Sequence, residues 1–470
     1  MDFSKIKTIY MIGIKGVGMT MLAEFLAQQK YSISGSDTGE VFMTDAVLAK
    51  AGITVYSGFS GEHLQSKPDL VIYSTAYNEQ TNVEVKEAIE KNYKIVTFAQ
   101  ALGDIFNTHF GVAVCGSHGK TTTTAWLGFV LAKAGLQPNV MVGARVPQFN
   151  GAGLTGNSNI LVVEADEYQN KLQYFNPKMI LLNNIDYDHP DFFPSKESYE
   201  QVFTDFIQKL PKSGCLIANS DDEIVKKIIS QNLNCKVITY GLNDDADYKA
   251  TSIHYQNGKQ YFNVSLKKSE EVEEDETNEL GIFSISLVGQ HNIYNALAII
   301  VASLELGADL LLVRRYLSEF SGTARRLELL GEYKGATIID DYAHHPTEIQ
   351  ATLQALQQRY AGKKIRVIFH PHTFTRTKAF LTDFGKSFSG ANEVVVLGIY
   401  GSAREVQGGI NSQEVAEEIK KNGLDNVHNI NSLSEVEAYL RETISEGDVI
   451  VLMGAGDVFR VGENLLKESQ

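Results

Sequence analysis

The sequence predicts an α/β fold of three domains built on mostly parallel sheets. Two observations point there. Short apolar runs, read as buried strands, alternate with helical periodicity along most of the 470 residues. Strand after strand also ends in a glycine-rich or polar loop, which is where open parallel sheets collect their ligands. At about 100–200 residues per domain, the length suits two to four domains, each with its own core.

The first unit spans residues 1–107. Residues 7–13 read as a buried strand, followed by Gly13-Ile-Lys-Gly16-Val-Gly18 and a helix with Met19, Leu22, Phe25 and Leu26 on its apolar positions. A second strand ends in Ser34-Gly-Ser-Asp37, which places an acid about 20 positions after the glycines, as a ribose contact in a Rossmann-like unit would be. The spacing is G-x-x-G-x-G rather than G-x-G-x-x-G, so a nucleotide fits and NAD is not required. The alternative is a turn that only packs strand on helix. Further strands are read at residues 53–55, 70–73 and 94–97. After the strand at 70–73, Ser74 and Asn78 are either ligand contacts or ordinary loop residues.

The second unit spans residues 108–320 and opens on an apolar strand running into Gly116-Ser-His-Gly119-Lys-Thr-Thr-Thr-Thr124. An apolar-periodic helix through Trp126 and Leu131 follows. Strand, glycine turn, Lys-Thr, helix is a phosphate cradle. Backbone N–H groups line the turn, Lys120 reaches phosphate oxygens, and the Thr121 hydroxyl is suited to Mg²⁺. The generic pattern holds four residues between its glycines; Gly116 and Gly119 enclose two.

Two acidic clusters then follow at strand ends: Glu164-Ala-Asp166-Glu167, and Asn184-Ile-Asp-Tyr-Asp188-His189-Pro-Asp191. Each is either a solvated loop or an oxygen-rich site for a hard cation. Two of them after a phosphate turn favour Mg²⁺. Residues 261–266 and 282–287 alternate as antiparallel strands, giving this unit a small antiparallel sheet beside its parallel one. The acidic run at 270–276 between them reads as a solvated hairpin loop. Gly289-Gln-His291-Asn-Ile-Tyr-Asn295 then leads a helix, and its polar residues either cap that helix or read a base.

The third unit, residues 321–470, is Rossmann-like. Arg325-Arg326 come first. Successive strands deliver Asp341-Tyr-Ala-His344-His345-Pro346, His370-Pro-His372-Thr-Phe-Thr-Arg376, Tyr400-Gly-Ser-Ala-Arg404 and Gly454-Ala-Gly-Asp457. Adjacent His344 and His345 cannot easily face one metal, so substrate contact or proton handling suits them better than zinc. The alternative, that a residue here only caps a helix, is expected to hold for about half of them taken singly.

Composition is that of a globular protein, 43% hydrophobic and 21% charged. A net charge of −15 argues against nucleic acid or an anionic membrane as the main partner. Three scattered cysteines, Cys115, Cys215 and Cys235, lack metal-type spacing and suit a reducing compartment. The N-terminus lacks a signal-peptide core, and no run reaches the ~18 apolar residues of a spanning helix. A cytoplasmic location is expected.

Together these stretches resemble the Mur ligase family of peptidoglycan synthesis. The resemblance rests on Gly13–Gly18, Ser34–Asp37, the Gly116–Thr123 turn, Glu164–Glu167, Asn184–His189, His291–Asn295, Arg325-Arg326, Asp340–Pro346 and His370-Pro-His372, and it spans the chain. The short Gly-x-x-Gly-Lys-Thr turn is the form that family uses. The resemblance implies a UDP-sugar domain, an ATPase domain and an amino-acid domain. It implies ATP-dependent joining of L-alanine to UDP-N-acetylmuramate through an acyl phosphate; a monomer or homodimer is expected. A ligase adding an L-Ala-γ-D-Glu-diaminopimelate tripeptide to the same sugar is the alternative; an NAD-dependent oxidoreductase or a generic P-loop NTPase is more remote.

The resemblance also assigns roles. Gly116, Ser117, His118, Gly119, Lys120, Thr121 and Thr122 would hold ATP, with Lys120 on the phosphates. Thr121, Glu164 and His189 would ligate metal, and His291 and Asn295 would meet adenine. Arg326 and Asp341 would close on ATP from the third domain. His345, His372 and Arg376 would face the amino acid and acyl phosphate. Gly16, Gly18, Ser36, Asp37 and Ser74 would meet the uridine diphosphate. The catalytic set would be Lys120, His189, Arg326 and His345. Thr373, where arginine is common in the family's alanine ligases, leaves Arg376 alone to hold substrate charge.

Overall fold

A computed structural model describes residues 3–42, 44–267, 278–401, 405 and 407–468. The acidic run at 270–276 and residues 402–404 of the loop after Tyr400 lie outside the described residues.

The described residues form three sheets. The first is fully parallel, with Thr54–Ser57, Ser32–Asp37, Thr8–Ile12, Leu70–Tyr73 and Ile95–Thr97 side by side in that order. The central strand Thr8–Ile12 changes winding direction there, since its neighbours come from the second and fourth strands of the chain. That switch point opens a crevice at the C-terminal strand ends, above the glycine loop at residues 13–18.

The second sheet has ten strands. Its parallel centre runs from Lys236–Gly241 through Cys215–Asn219, Met179–Leu182 and Phe110–Cys115 to Ile160–Glu164 and Asn139–Val146. Antiparallel strands extend one side, where Tyr248–Gln256, Lys259–Leu266 and Glu279–Ile285 pair. An antiparallel hairpin closes the other, Asn139–Val146 with Gly151–Leu154. The last long strand therefore lies at 279–285 rather than 282–287. Its partner strand places Phe262 against Phe283 across the ladder, and both rings are buried.

The helix Lys120–Lys133 is the spine of this unit. It starts with four β-branched threonines, which are poor helix formers. Burial on nearly every side outweighs that preference. Trp126 is fully buried, stacks on Phe320 at 5.5 Å and donates Nε1–H to the Leu317 carbonyl at 3.1 Å. Truncating such a side chain costs about 3–5 kcal/mol, so the helix is held rigid under its phosphate-facing end.

The third sheet runs Glu328–Tyr333, Ala336–Asp341, Val449–Met453, Ile365–Phe369, Glu393–Val396 and Val427–Asn429. Only its first pair is antiparallel. Arg366 lies fully buried on it and is neutralised by Glu393 at 2.8 Å and Asp448 at 3.1 Å.

Candidate active site

The strand Phe110–Cys115 ends in a turn that only glycine tolerates. Gly116 and Gly119 hold φ of 128° and 79°. A Cβ on Gly116 would lie 2.7 Å from the Asn184 carbonyl oxygen, and one on Gly119 would lie 2.8 Å from Asn295 Oδ1. His118 N–H donates to Asn184 Oδ1 at 2.8 Å, so the second acidic loop pins the turn.

Lys120 folds back over that turn. Its Nζ donates to the Gly116 carbonyl at 2.6 Å, the Ser117 carbonyl at 3.0 Å and Glu167 Oε2 at 2.9 Å. Burial alone would lower this ammonium's pKa, but Glu167, Asp166 and Glu164 outweigh it and hold Lys120 above the ordinary lysine range. Beside it, Thr121 Oγ1 donates to Glu164 Oε1 at 2.7 Å, and Gly143 N–H holds the other oxygen, also at 2.7 Å. Burial would raise Asp166, but Lys171 and Lys120 bring its carboxyl down to about 2, and Lys171 bonds it directly. Glu167 also accepts from Tyr199 Oη at 3.1 Å.

His189 sits with φ of 57°, its Nε2 3.8 Å from Glu167 Oε1. Asp166, Glu167 and His189 each offer an atom within 4.8 Å of the others. Carboxylates, one imidazole and a threonine hydroxyl form an oxygen-rich set of the kind a hard divalent cation takes. Thr121 and Glu164 converge within one hydrogen bond, so the residues present fit Mg²⁺ there.

The third sheet's loops close over this centre. Arg325 Nε donates to Asp340 Oδ2 at 3.0 Å and Nη2 to the Gly454 carbonyl at 2.8 Å, so it braces its own sheet. Arg326 is free to face inward, 3.6 Å from Glu348 and over the Tyr342 ring. Asp341 accepts from the backbone N–H groups of Leu327 and Ala343 at 2.7 and 2.8 Å, which ties the arginine pair to the strand end.

His345 caps the helix Pro346–Arg359. Its Nδ1 accepts from Thr347 N–H at 3.3 Å and its Nε2 faces the Tyr187 carbonyl at 3.3 Å. With both ring nitrogens engaged, this geometry suits orientation rather than proton transfer. Arg376 grips Asp188 through Nε and Nη2 at 2.9 and 3.2 Å and turns Nη1 to His372 at 3.2 Å. Burial pushes His372 down to about 3 and His344 down to about 4, so both are neutral at ordinary pH.

Residues of the turn line two cavities. The larger, about 750 Å³, is lined by Gly119, Thr122, His291 and Asn295 on one wall and Arg326 and Asp341 on the other. Burial and then Arg326 lower His291 to about 4, so it presents a neutral ring. The smaller, about 380 Å³, is lined by Gly16, Gly18 and Ser74 of the first unit together with Lys120, Glu164 and Lys171 of the second.

Ser36 and Asp37 line neither cavity. Asp37 is buried and accepts from Lys15 N–H at 2.7 Å and Thr38 N–H at 2.8 Å, so its carboxylate shapes the glycine loop. Ser36 Oγ bonds the fully buried Glu84. Sequence reasoning passed over Lys171, Tyr199, Glu348 and Asn183, all of which stand at this centre. Of these only Glu348 carries a sequence signal, an acid in the first turn after Pro346, and that signal speaks for helix geometry alone.

A half-buried lysine in a phosphate turn whose residues line one cavity shared with the first sheet and another shared with the third defines a phosphate-transferring enzyme that brings two ligands to one point. The chain belongs to the Mur ligase family. Residues 8–110 match the "Mur ligase family, catalytic domain", residues 114–303 the "Mur ligase middle domain" and residues 325–456 the "Mur ligase, glutamate ligase domain". The UDP-N-acetylmuramate–L-alanine ligase of Desulfitobacterium hafniense is 38% identical over 97% of this chain and 99% of its own. That of Alkaliphilus metalliredigens is 38% identical over 100% of this chain and 99% of its own. Among solved structures, the UDP-N-acetylmuramate–alanine ligase of Thermotoga maritima superposes with a TM-score of 0.80 at 26% identity, covering 98% of this chain and 99% of that one. A murein peptide ligase of Psychrobacter arcticus shares the fold, with a TM-score of 0.72 at 23% identity, over 98% of each chain.

Proposed function

We propose that this protein is an ATP-dependent ligase that joins L-alanine to UDP-N-acetylmuramate, a step of peptidoglycan precursor synthesis. The observation that carries the mechanism is the phosphate turn lining both cavities, with Lys120 in the one shared with the first sheet and Gly119 and Thr122 in the one shared with the third. ATP takes the larger cavity, its base by His291 and Asn295 and its phosphates along residues 116–122. The UDP-sugar lies along Gly16, Gly18 and Ser74, with its lactyl carboxylate directed to Lys120. The Ser36 carbonyl, accepting from Gly13 and Ile14 N–H, and the Asp37 carboxylate support that loop.

A carboxylate is a poor acyl donor because its oxygen cannot leave. Its oxygen attacks the γ-phosphorus, the bond to the β-phosphate oxygen breaks, and ADP departs. The amine nitrogen then attacks the acyl carbon, phosphate leaves with the former carboxylate oxygen, and the amine's proton passes to the departing phosphate. Lys120 and Arg326 neutralise charge on the transferring phosphoryl group, which is the main task in such reactions. Mg²⁺ held by Thr121 and Glu164, and a second ion near His189, would supply further neutralisation. His372 and Arg376 face the amine and the acyl phosphate, and His345 holds the start of its helix against the Tyr187 carbonyl. His372, neutral in this setting and accepting from Arg376 Nη1 at Nδ1, keeps its proton on Nε2 and offers it as a donor to the substrate's oxygen atoms.

We divide the chain at residues 107 and 320, place the enzyme in the cytoplasm and expect a monomer or homodimer. Among the described residues no helix is long and apolar enough to cross a membrane. The test is phosphate release with ATP, UDP-N-acetylmuramate and a panel of amines. Release that requires the sugar and favours L-alanine supports the proposal. Release only with L-Ala-γ-D-Glu-diaminopimelate moves the amine choice to the tripeptide, and release indifferent to the sugar overturns the ligase reading.

A further inference from the structure

Glu348 has one assignable local job and several neighbours that job does not explain. It stands at the third position of the helix Pro346–Arg359, where its Oε2 accepts from His345 N–H at 3.4 Å, the ordinary closing bond of a capping box. The same oxygen accepts from His344 N–H at 3.1 Å and lies 3.3 Å from His344 Nδ1. Its other oxygen, Oε1, lies 3.3 Å from Nδ1 of His118 in the phosphate turn and 3.6 Å from Arg326 Nη1. The side chain is 11% exposed.

Across the bridge, His118 Nε2 lies 2.9 Å from Asp186 Oδ2, which also accepts from Thr347 Oγ1 at 2.6 Å. His118 is therefore clamped between one carboxylate of its own unit and one from the third. Burial would keep Glu348 protonated, yet His344, His118 and Arg326 hold its carboxyl well below the usual range.

We infer that Glu348 is a positioning residue that couples docking of the third unit to the phosphate turn. It sets His118 and Arg326, from opposite walls of the nucleotide cavity, on one carboxylate, and fixes the His344–His345 loop with the other oxygen. The turn and the acceptor loop then adopt their working geometry together or not at all. This coupling rests on the ligase reading above for its kinetic readout, not for its geometry.

Capping and coupling are separable, because glutamine also closes a capping box. Glu348→Gln should therefore keep the fold, with a melting temperature lowered by the loss of the carboxylate that pairs with His118 and Arg326. Its kcat should fall on the order of 100-fold, the scale of a misplaced reacting group, while KM for the UDP-sugar stays unchanged. His118→Gln should reproduce the loss, and the double variant should be no worse than either single one. A Glu348→Gln kcat within about threefold of the parent, or losses that multiply in the double variant, would overturn the coupling.

If Glu348→Gln does not fold, His118→Gln carries the test alone, and a parent-like kcat in that variant defeats the proposal. A parent enzyme that uses only the tripeptide is compared with that amine instead. Should its phosphate release ignore the sugar, the ligase reading fails by itself. Small-angle scattering with a non-hydrolysable ATP analogue then decides the coupling, since the parent should compact and Glu348→Gln should not.

Discussion

Arg376 lies on Asp188 with Nε 2.9 Å from Oδ1 and Nη2 3.2 Å from Oδ2, joining residues 188 positions apart in the chain. Both side chains are buried, and burial, which would raise the Asp188 carboxyl, is overridden chiefly by Arg376. Removing one partner of such a pair leaves a buried charge uncompensated, at a cost of about 3–5 kcal/mol. Asp188→Ala should therefore loosen the third unit from the second. Scattering should show a larger radius of gyration for the variant, and its turnover should collapse; a compact, active variant would refute this.

Lys120→Ala removes the cation that three carboxylates hold at the turn. Turnover should fall on the order of 1000-fold, as when a single charge-stabilising donor is removed. Lys120 is only one part of the smaller cavity's lining, so UDP-sugar affinity should fall by no more than about tenfold, the equivalent of about 1.4 kcal/mol. Calorimetric titration of the variant with the sugar alone checks the second half.

Glu164→Ala leaves the Thr121 hydroxyl without its 2.7 Å partner and removes a carboxylate from the cation site. The Mg²⁺ concentration for half-maximal rate should rise about tenfold or more, the scale of a lost supporting contact. A Mg²⁺ titration superimposable on the parent's would take Glu164 out of the metal's shell.

His118 titrates with the docked interface. Burial would lower it, but Asp186 and Glu348 raise it from 6.5 to about 9, with the His345 ring 4.9 Å away and His291 also near. A raised folded-state pKa means the stabilisation is complete below pH 6.5 and is lost as pH rises through about 9. The parent's melting temperature should decline across that window more steeply than that of His118→Gln. Parallel melting curves for the two proteins would contradict the assignment.

Arg366 gives a stability test away from the chemistry. Arg366→Ala leaves Asp448 without its cation and Glu393 with Lys364 alone, and should cost about 3–5 kcal/mol in urea unfolding. A triple change to well-packed apolar residues of similar volume should restore most of it. Turnover per folded molecule should be unaffected in either case.

How much of this was legible in the chain differs by scale. The phosphate turn is local: strand, two glycines, lysine, threonine and helix lie within one stretch, so sequence pattern reveals it. The α/β alternation is equally local, and the three-unit fold followed from it. The hairpin Asn139–Val146 with Gly151–Leu154 was not legible, because its glycines and Pro147 read as loop while distant partners make it a strand pair. The Asp188–Arg376 clasp and the Glu348–His118 bridge were invisible for a different reason. Charge pairs across 188 and 230 positions leave no period or spacing. Asp37 shows the converse, a residue in a recognisable motif whose oxygens the structure spends on the adjacent backbone.

The phosphate turn lends residues to two cavities that share none of their lining. A compound lodged among His291, Asn295 and Arg326 leaves the approach past Gly16 and Gly18 open, and the reverse holds as well. Inhibitors of the two chambers should accordingly be additive rather than competitive with each other. A tether short enough to pass Lys120 would turn two weak occupants into one strong one, since the second binding event becomes intramolecular.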